Sequence, residues 1–387
     1  MKIVIAPDSF KETMSAKTVA ATVAEAARAV WPHAECTEVP MADGGEGTTQ
    51  SLVDALGGEF LSIETLDALG RPRAARIGWV ADTRIAIFEV AEAIGIEHIS
   101  PEERNPRASS TRGVGIVLRE ILALHPQKVI IGLGGSATND GGWGMAYELG
   151  VRLFNEQGAE IPVEPLALEK AHHLEGDAIR AAWRHVEVIL ACDVNNPLAG
   201  AQGATFTFGP QKGVTPEELP VFDSALSHYG HILDETYGEK FSEMPGAGAA
   251  GGLGVSFIAL LGAKAQPGVD VVITSVGLES LVADADLVVT GEGKIDHQTA
   301  HGKTPWGVAQ LAKKYGVPVV AFAGIVGEGS EELYPQGFSA IVSTVREVAP
   351  LEQILKKAQP SLRAAATTAF QLLNTGMSLG GTANVTR

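Results

Sequence analysis

The chain has 387 residues, of which 45% are hydrophobic and 19% charged, a composition typical of a globular protein with two or more domains. Its 29 basic and 46 acidic side chains give a formal net charge of −17, which argues against nucleic acid or an anionic membrane surface as a partner. Only two cysteines occur, and the sequence contains no signal-peptide pattern and no apolar run long enough for a membrane helix. A cytoplasmic protein without disulfides is therefore expected.

Alternating strands and helices are predicted at the start of the chain. Residues 2–6 and 36–40 predict two short strands, and Ser15 can cap a helix that ends near Pro32. Each strand runs into a polar turn, and the second turn, residues 42–48, is rich in glycine and carboxylate. Two such strand–loop–helix units predict a parallel sheet with both loops at its carboxyl edge.

The polarity pattern changes after residue 59. The segments that alternate between apolar and polar residues, and so predict antiparallel strands, are residues 60–66, 74–80 and 84–90. Further strands are predicted at 128–132 and 187–192, and helices at 113–124, 216–237 and 249–261. The middle of the chain is thus organised differently from its start.

Strand–helix alternation resumes near the end, with strands predicted at 286–290, 317–322 and 340–344 and helices at 305–315 and 351–373. The simplest arrangement is a Rossmann-like parallel α/β domain formed by both chain ends, with an inserted second domain of mixed α/β (α+β) type. The predicted boundaries are 1–68 plus 287–375 for the first domain, 69–286 for the second, and 376–387 for a loose tail.

A glycine-rich polar stretch, residues 132–142, lies between a predicted strand and a predicted helix start. Backbone amides and the positive helix end favour anions at such a place, and glycine lets the backbone approach a ligand closely. Ser136, Asn139 and Asp140 add a hydroxyl, an amide and a carboxylate. We therefore predict a ligand site, although the same residues could simply cap a turn.

Five loops of similar composition each follow a short apolar strand and combine carboxylates with glycine, serine, asparagine or lysine. They are residues 8–11, 43–46, 136–140, 193–196 and 292–296. Carboxylates together with hydroxyls and lysines suit Mg²⁺ held with phosphate groups, which favours a kinase without a Walker A motif. A metal-dependent hydrolase is an alternative that accounts for the carboxylates but less well for the glycines and lysines.

A dinucleotide-dependent dehydrogenase is a further alternative, because Gly132, Gly134 and Ala137 fit the pattern G-x-G-x-x-A after a strand. That fold needs an acidic residue about 20 positions onward to bind the ribose. Arg152 stands at that spacing, so the sequence argues against this class.

Seven strings, in order along the chain, resemble the bacterial glycerate kinase family of type I. They are residues 6–11, 42–48, 134–142, 191–198, 208–213, 245–252 and 290–296. The resemblance extends to about residue 375. It implies ATP-dependent phosphorylation of D-glycerate, usually to 2-phosphoglycerate, in glyoxylate or sugar-diacid catabolism, and a site in a cleft between two domains. The chain departs from the family at Lys294, where arginine is common, and at Glu12, where glycine is common.

Roles for the loop residues follow from their chemistry. Catalytic roles are predicted for Asp193, Asp296 and Lys11, and binding of Mg²⁺ for Glu292 and Asp296. The residues predicted to bind substrate are Asp8, Ser9, Arg71, Asn139, Asp140, Asn195 and Asn196. The residues predicted to bind ATP are Asp43, Gly44, Gly45, Glu46, Gly134, Gly135, Ser136, Gly291, Gly293 and Lys294.

Three expectations can be tested against the structure or by experiment. Asp193 is assigned to the substrate hydroxyl and Asp296 to the phosphate side, with the exchange of these roles as the alternative. Arg71→Ala is expected to raise KM for glycerate, and Asp140→Asn to lower kcat with the fold intact. A non-catalytic sensor of glycerate or nucleotide on the same fold is the alternative function.

Overall fold

The computed structural model describes residues 1–45 and 47–383. The strands are β1 (Lys2–Ile5), β2 (Glu35–Glu38), β3 (Glu59–Leu66), β4 (Pro72–Val80), β5 (Ile85–Glu89), β6 (Lys128–Gly132), β7 (Arg152–Phe154), β8 (His173–Glu175), β9 (Glu187–Ala191), β10 (Lys264–Gln266), β11 (Leu287–Ile295), β12 (Val319–Val326) and β13 (Ala340–Ser343). The α-helices are α1 (Ala16–Val30), α2 (Thr48–Leu56), α3 (Ala91–Ile94), α4 (Arg112–Ala123), α5 (Trp143–Glu148), α6 (Asp177–Trp183), α7 (Ala204–Phe208), α8 (Leu219–Tyr237), α9 (Leu253–Leu261), α10 (Gly268–Ser275), α11 (Leu278–Ala283), α12 (Thr304–Tyr315), α13 (Leu351–Lys356) and α14 (Ala358–Ala383). Short 3₁₀ helices occur at Ile96–His98, Pro101–Glu103, Pro165–Lys170, Pro210–Lys212, Phe241–Glu243, His297–His301 and Ser330–Gln336.

Contacts between residues divide the chain into two compact units, which we call unit 1 and unit 2. Unit 1 contains Met1–Asp43, Asp54–Leu56 and the chain from Val269 onward. Unit 2 contains Gly44–Val53 and Gly57–Gly268. None of the helices in the described part of the chain is both long and apolar enough to cross a membrane.

Unit 1 is built on a five-stranded parallel sheet in the order β13–β12–β11–β1–β2. Helix α1 begins after Ser15, whose hydroxyl accepts a hydrogen bond from Thr18 N, and its apolar residues share a core with α14 and the sheet. The parallel sheet predicted for the joined chain ends is thereby confirmed. Because all five strands run in one direction, the loops at their carboxyl ends share one edge.

Unit 2 is built on a six-stranded sheet in the order β10–β9–β6–β5–β4–β3. Strands β3, β4 and β5 pair antiparallel, as predicted, and β5, β6, β9 and β10 pair parallel. The large core includes the fully buried rings of Phe88, Trp143, Tyr229 and Phe257. The parallel half of the sheet places the carboxyl ends of β6 and β9 side by side.

The division of the chain differs from the predicted boundaries in four places, the first of which is that residues 44–53 belong to unit 2. Residues 57–68 belong to unit 2, because β3 pairs with β4 along its whole length. Residues 269–286 belong to unit 1, where α11 packs against α12. Helix α14 continues to Ala383, so residues 376–383 are helical rather than a loose tail, and 384–387 lie outside the described residues.

Strand β11 is longer than predicted, because it continues through the glycine-rich segment that we expected to be a loop. Gly291, Glu292 and Lys294 pair with residues of β12 in a regular parallel register. A Cβ on Gly291 would lie 2.4 Å from the carbonyl oxygen of Phe322. Glycine here thus allows close approach of the neighbouring strand rather than a turn.

Candidate active site

Two carboxylates of unit 1 lie near enough to affect each other's charge, Asp8 after the carboxyl end of β1 and Glu292 within the second half of β11. Asp8 follows β1, and its backbone amide donates a hydrogen bond to the carbonyl oxygen of Gly291 at 2.8 Å. The Thr304 hydroxyl donates to Asp8 Oδ2 at 2.7 Å, and the Thr299 hydroxyl donates to Glu292 Oε1 at 2.8 Å. Each carboxylate is therefore held in place by a threonine from the segment that follows β11.

Burial favours the protonated form of both carboxylates. It raises the pKa of Glu292 to about 7, although Lys303 Nζ lies 3.4 Å from Glu292 Oε2 and opposes the shift. It also raises the pKa of Asp8 to about 6, where the Thr304 hydrogen bond opposes the shift and the charge of Asp43 adds to it. Each of these two carboxylates makes it harder for the other to carry a charge. Such a pair is suited to binding a cation or to taking up and releasing protons.

Asp296 lies at the end of β11, beside two lysines. Lys294 Nζ is 2.7 Å from Asp296 Oδ2, and the hydrogen bond from this lysine lowers the pKa of Asp296. The other carboxylate oxygen accepts from Gln298 N at 2.9 Å and so caps the 3₁₀ helix that follows. Asp296 is thus held in its charged form, and both of its oxygens already have partners within the fold.

No group of three or more histidine, cysteine, aspartate or glutamate side chains suited to a metal lies together within residues 1–45 and 47–383. A closed protein cage of the kind that holds structural zinc is therefore not part of the described structure. Mg²⁺ is commonly held by one or two carboxylates together with water and phosphate oxygens, and Asp8, Glu292 and their threonine hydroxyls suit that coordination.

Lys11 lies in the turn after β1, close to the same sheet edge. It is exposed and makes no ion pair with a residue that the structure describes. Lys11 and Gly293 both line a cavity of about 120 Å³ within unit 1. Glu12 beside it has a φ of 66°, in the left-handed region that favours glycine.

A larger cavity of about 240 Å³ lies within unit 2, at the carboxyl ends of β6 and β9. The polar and glycine positions that line it are Gly44, Gly45, Gly134, Gly135, Ser136, Asp193, Gln211 and Lys212. Asp193 accepts a hydrogen bond from Gly268 N at 2.9 Å and is the only carboxylate among the described lining residues. Ligand sites of parallel α/β sheets lie at this edge.

Glycines bring the backbone close to this cavity. Gly44 has a φ of +92°, and a Cβ there would lie 2.4 Å from Gly268 Cα. Gly135 has a φ of +71°, and a Cβ on Gly134 would meet nothing within 4 Å. The structure therefore groups Gly134, Gly135 and Ser136 with Asp193; Glu46, which we also predicted to bind ATP, lies outside the described residues.

Lys212 lines the same cavity and was not among the predicted site residues. Its side chain is only 2% exposed, and its ammonium group donates to Ser136 Oγ at 2.9 Å and to Thr138 O at 2.7 Å. Burial lowers the pKa of Lys212 to about 7, although the charge of Asp140 opposes this shift. The sequence signal was its place in the string of residues 208–213, to which we had given no chemical role.

Asp140, which is predicted to contact substrate, does not line the cavity. It is 1% exposed, and its carboxylate accepts hydrogen bonds from Thr111 N, Thr111 Oγ1, Gly142 N and Gly144 N. Burial raises the pKa of Asp140, and these hydrogen bonds oppose the shift. Asp140 therefore ties the glycine-rich loop to the starts of α4 and α5.

Three asparagines predicted to bind substrate also lie outside the lining of the cavity. Asn139 is fully buried and donates to Thr205 Oγ1 at 2.9 Å, whereas its Oδ1 has no hydrogen-bond partner among the described residues. Asn196 donates to the carbonyl oxygen of Gln202 at 2.7 Å and Asn195 is exposed. The two asparagines whose amide contacts are described thus hold neighbouring segments in place.

Arg71 is paired within the turn between β3 and β4. Its Nε lies 2.5 Å from Asp67 Oδ2 and its second guanidinium arm 2.8 Å from Glu103 Oε1. We therefore replace the expected effect on KM by a new prediction, namely that Arg71→Ala leaves kcat and KM for glycerate unchanged. It should lower the free energy of unfolding only slightly, because exposed ion pairs contribute little to stability. Steady-state kinetics and urea unfolding check this, and a tenfold rise in KM would restore the earlier interpretation.

Comparison with known proteins places the chain beside glycerate kinases. The model of the glycerate kinase family matches residues 3–374. A glycerate kinase from Bacillus subtilis is 45% identical over 358 residues, which cover 92% of this chain and 94% of the relative. The glycerate 2-kinase of Escherichia coli is 38% identical over 381 residues, covering 97% of this chain and 100% of the relative. A crystal structure assigned to a glycerate kinase 2 of Salmonella typhimurium LT2 matches with a TM-score of 0.88 at 40% identity, covering 98% of this chain and 99% of that chain.

Proposed function

The chain belongs to the glycerate kinase family, and we propose that it transfers the γ-phosphoryl group of ATP to a hydroxyl of D-glycerate, giving 2-phosphoglycerate. The observation that carries this proposal is the family match over residues 3–374, at identities of 38–45% to the two relatives described above. The cavity in unit 2 and the carboxylate cluster in unit 1 supply groups of the kind that phosphoryl transfer needs.

The unit 2 cavity supports binding of the hydroxy acid. Its carboxylate, Asp193, is held by Gly268 N and can orient a substrate hydroxyl and accept its proton. Lys212, Ser136 and the glycines at positions 134 and 135 line the same space. We therefore assign these residues to glycerate, which revises the expectation that Gly134, Gly135 and Ser136 bind ATP.

The unit 1 cluster supports binding of the phosphate groups. Asp8 and Glu292 are the carboxylates that would hold Mg²⁺, and the bound ion would neutralise charge on the phosphates. Lys303 lies 3.4 Å from Glu292 and Lys294 lies 2.7 Å from Asp296, so both lysines add positive charge near the end of β11. Asp296 holds Lys294 in position, so we keep it on the phosphate side.

Binding of MgATP should weaken as the pH falls, because Glu292 and Asp8, with pKa values of about 7 and about 6, then take up protons. We expect the calorimetric affinity of the wild-type protein to decrease between about pH 8 and about pH 5.5. Glu292→Gln removes one titrating group. The affinity of this variant for MgATP should therefore be lower than that of the wild-type protein at high pH and should change less with pH. Protonation of ATP itself affects both proteins equally; the same pH dependence in both would show that Glu292 does not contribute.

The function is tested by a coupled assay of ADP formation with D-glycerate, followed by identification of the phosphorylated carbon by NMR. We expect D-glycerate to be the best substrate in a panel of small hydroxy acids. ATP binding without turnover of any member of the panel would instead support the sensor. The cytoplasmic location and a part in glyoxylate metabolism stay predictions.

A further inference from the structure

Lys212 is a buried lysine that makes no ion pair with any carboxylate in the described part of the chain. Its ammonium group has three N–H donors, and the two groups that accept from it, Ser136 Oγ and Thr138 O, are both neutral. No carboxylate of a described residue forms an ion pair with it, although its side chain is almost fully buried. A buried charge is costly unless it is paired, so this arrangement calls for an anion.

The place of Lys212 identifies where that anion would bind. Lys212 and Ser136 both line the unit 2 cavity, so a ligand in the cavity is within reach of the ammonium group and the hydroxyl. Lys212 is the only lysine or arginine among the described lining residues, and Asp193 is the only carboxylate. The cavity therefore offers one positive and one negative group to its ligand.

We propose that Lys212 binds the carboxylate of glycerate, an inference that rests on the proposed function. This contact would make the enzyme prefer a hydroxy acid to an uncharged polyol as its substrate. Glycerate carries one carboxylate and two hydroxyls, which complement one ammonium group, the Ser136 hydroxyl and the Asp193 carboxylate. A charge-assisted hydrogen bond in a buried place is among the strongest available to such a ligand.

A nucleotide phosphate is the other anion that Lys212 could bind, and the charges of the cavity argue against it. A triphosphate carries several negative charges and needs several cations, whereas this cavity has one lysine and the repelling charge of Asp193. Lys294 and Lys303 accompany the carboxylates in unit 1 instead. The volume of about 240 Å³ also suits a molecule of glycerate's size better than a whole nucleotide.

The first test replaces Lys212 by methionine, which keeps the length of the side chain and removes its charge. We expect Lys212→Met to raise KM for D-glycerate by about 10- to 100-fold and to leave KM for ATP near the wild-type value. Lys264→Met, at an exposed lysine of β10 outside the cavity, is the matched control and should change neither constant.

Substrate selectivity separates binding from a purely structural effect. We expect the ratio of kcat/KM for D-glycerate to kcat/KM for glycerol to fall at least tenfold in Lys212→Met. Glycerol has no carboxylate, so the substitution removes no contact with it. If Lys212 only supports the loop, the variant should unfold at a lower temperature with this ratio unchanged, which would overturn the proposal. A rise in KM for ATP alone would overturn it in favour of a phosphate contact.

A second measurement needs no variant, and so holds even if Lys212→Met fails to fold. With a pKa of about 7, Lys212 is largely neutral in the free protein at about pH 8, and a bound carboxylate would restore its proton. Glycerate binding should therefore take up protons at that pH, measured by calorimetry in buffers of different ionisation enthalpy. The neighbouring titratable groups are Asp140, Asp193 and Cys192; burial raises the pKa of the Cys192 thiol, which keeps it neutral there.

Glycerate binding without uptake of protons at about pH 8 would reject the assignment of Lys212 while glycerate kinase activity stands. Absence of wild-type activity on D-glycerate would instead reject the proposed function itself. The two failures are thus distinguished by the wild-type protein alone.

Discussion

Asp193→Asn should lower kcat for D-glycerate by about 10²- to 10⁴-fold, the range that a positioned general base contributes. The amide keeps the shape of the side chain and an oxygen that can accept from Gly268 N, but it cannot take the proton of the substrate hydroxyl. KM for ATP and the affinity for MgATP should stay near wild-type values, because the phosphate-binding groups are unchanged. Stopped-flow or steady-state assays of ADP release measure the loss.

Asp223→Asn is the matched control, since Asp223 also accepts a backbone N–H, that of Gly200 at 3.0 Å, and does not line the cavity. It should retain kcat.

Asp296→Asn should behave differently from both, weakening MgATP binding because Lys294 loses its charged partner. If Asp193→Asn loses nucleotide binding while Asp296→Asn keeps it, the two carboxylates have exchanged roles.

Asp140→Ala should lower the free energy of unfolding by about 3–5 kcal/mol, the range expected when a buried charged acceptor is removed. The substitution leaves four donors, on Thr111, Gly142 and Gly144, without their acceptor inside the protein. Urea unfolding followed by fluorescence measures the change. Activity per folded molecule should fall far less than in Asp193→Asn.

The control for this measurement is Asp82→Ala, at an exposed aspartate between β4 and β5, which should change the free energy of unfolding by less than about 0.5 kcal/mol. A variant Asp140→Ala of wild-type stability with a kcat lowered by orders of magnitude would contradict the structural role. It would return Asp140 to the group of residues that act on substrate.

Much of the fold could be predicted because it depends on local patterns. The apolar strands at residues 2–6 and 128–132 precede polar loops, and parallel strands bring such loops to one edge of a sheet. The unit 2 cavity lies at one such edge and is lined by Gly134, Gly135 and Asp193, whereas the sequence predicts ATP binding for the two glycines and a role at the substrate hydroxyl for Asp193.

The orientation of a side chain depends on partners that are distant in the sequence. The local sequence was therefore not enough to predict which loop side chains face a ligand. Asp140 turns to Thr111, 29 residues away, and nothing in its own loop distinguishes that orientation from one toward a ligand. Lys212 is buried because its turn packs on residues that lie 74 and 76 positions earlier. The sequence around Gly291 predicted a turn. The reason for glycine there is the carbonyl oxygen of Phe322 on the neighbouring strand, which the local sequence does not reveal.

The order of strands in unit 1 has a consequence for the synthesis of the protein. Strand β1 pairs with β11, so that Ile3 lies opposite Leu287, and the ribosome makes β11 long after β1. At roughly 5–20 residues per second, β1 waits about 15–60 s for its neighbour. A two-stranded fragment is marginal in water and leaves an open edge, whereas Gly57–Gly268 is by then complete. The inserted unit can therefore fold while the first strand of the chain is still without its central partner, and any truncation before residue 287 would leave the parallel sheet unformed.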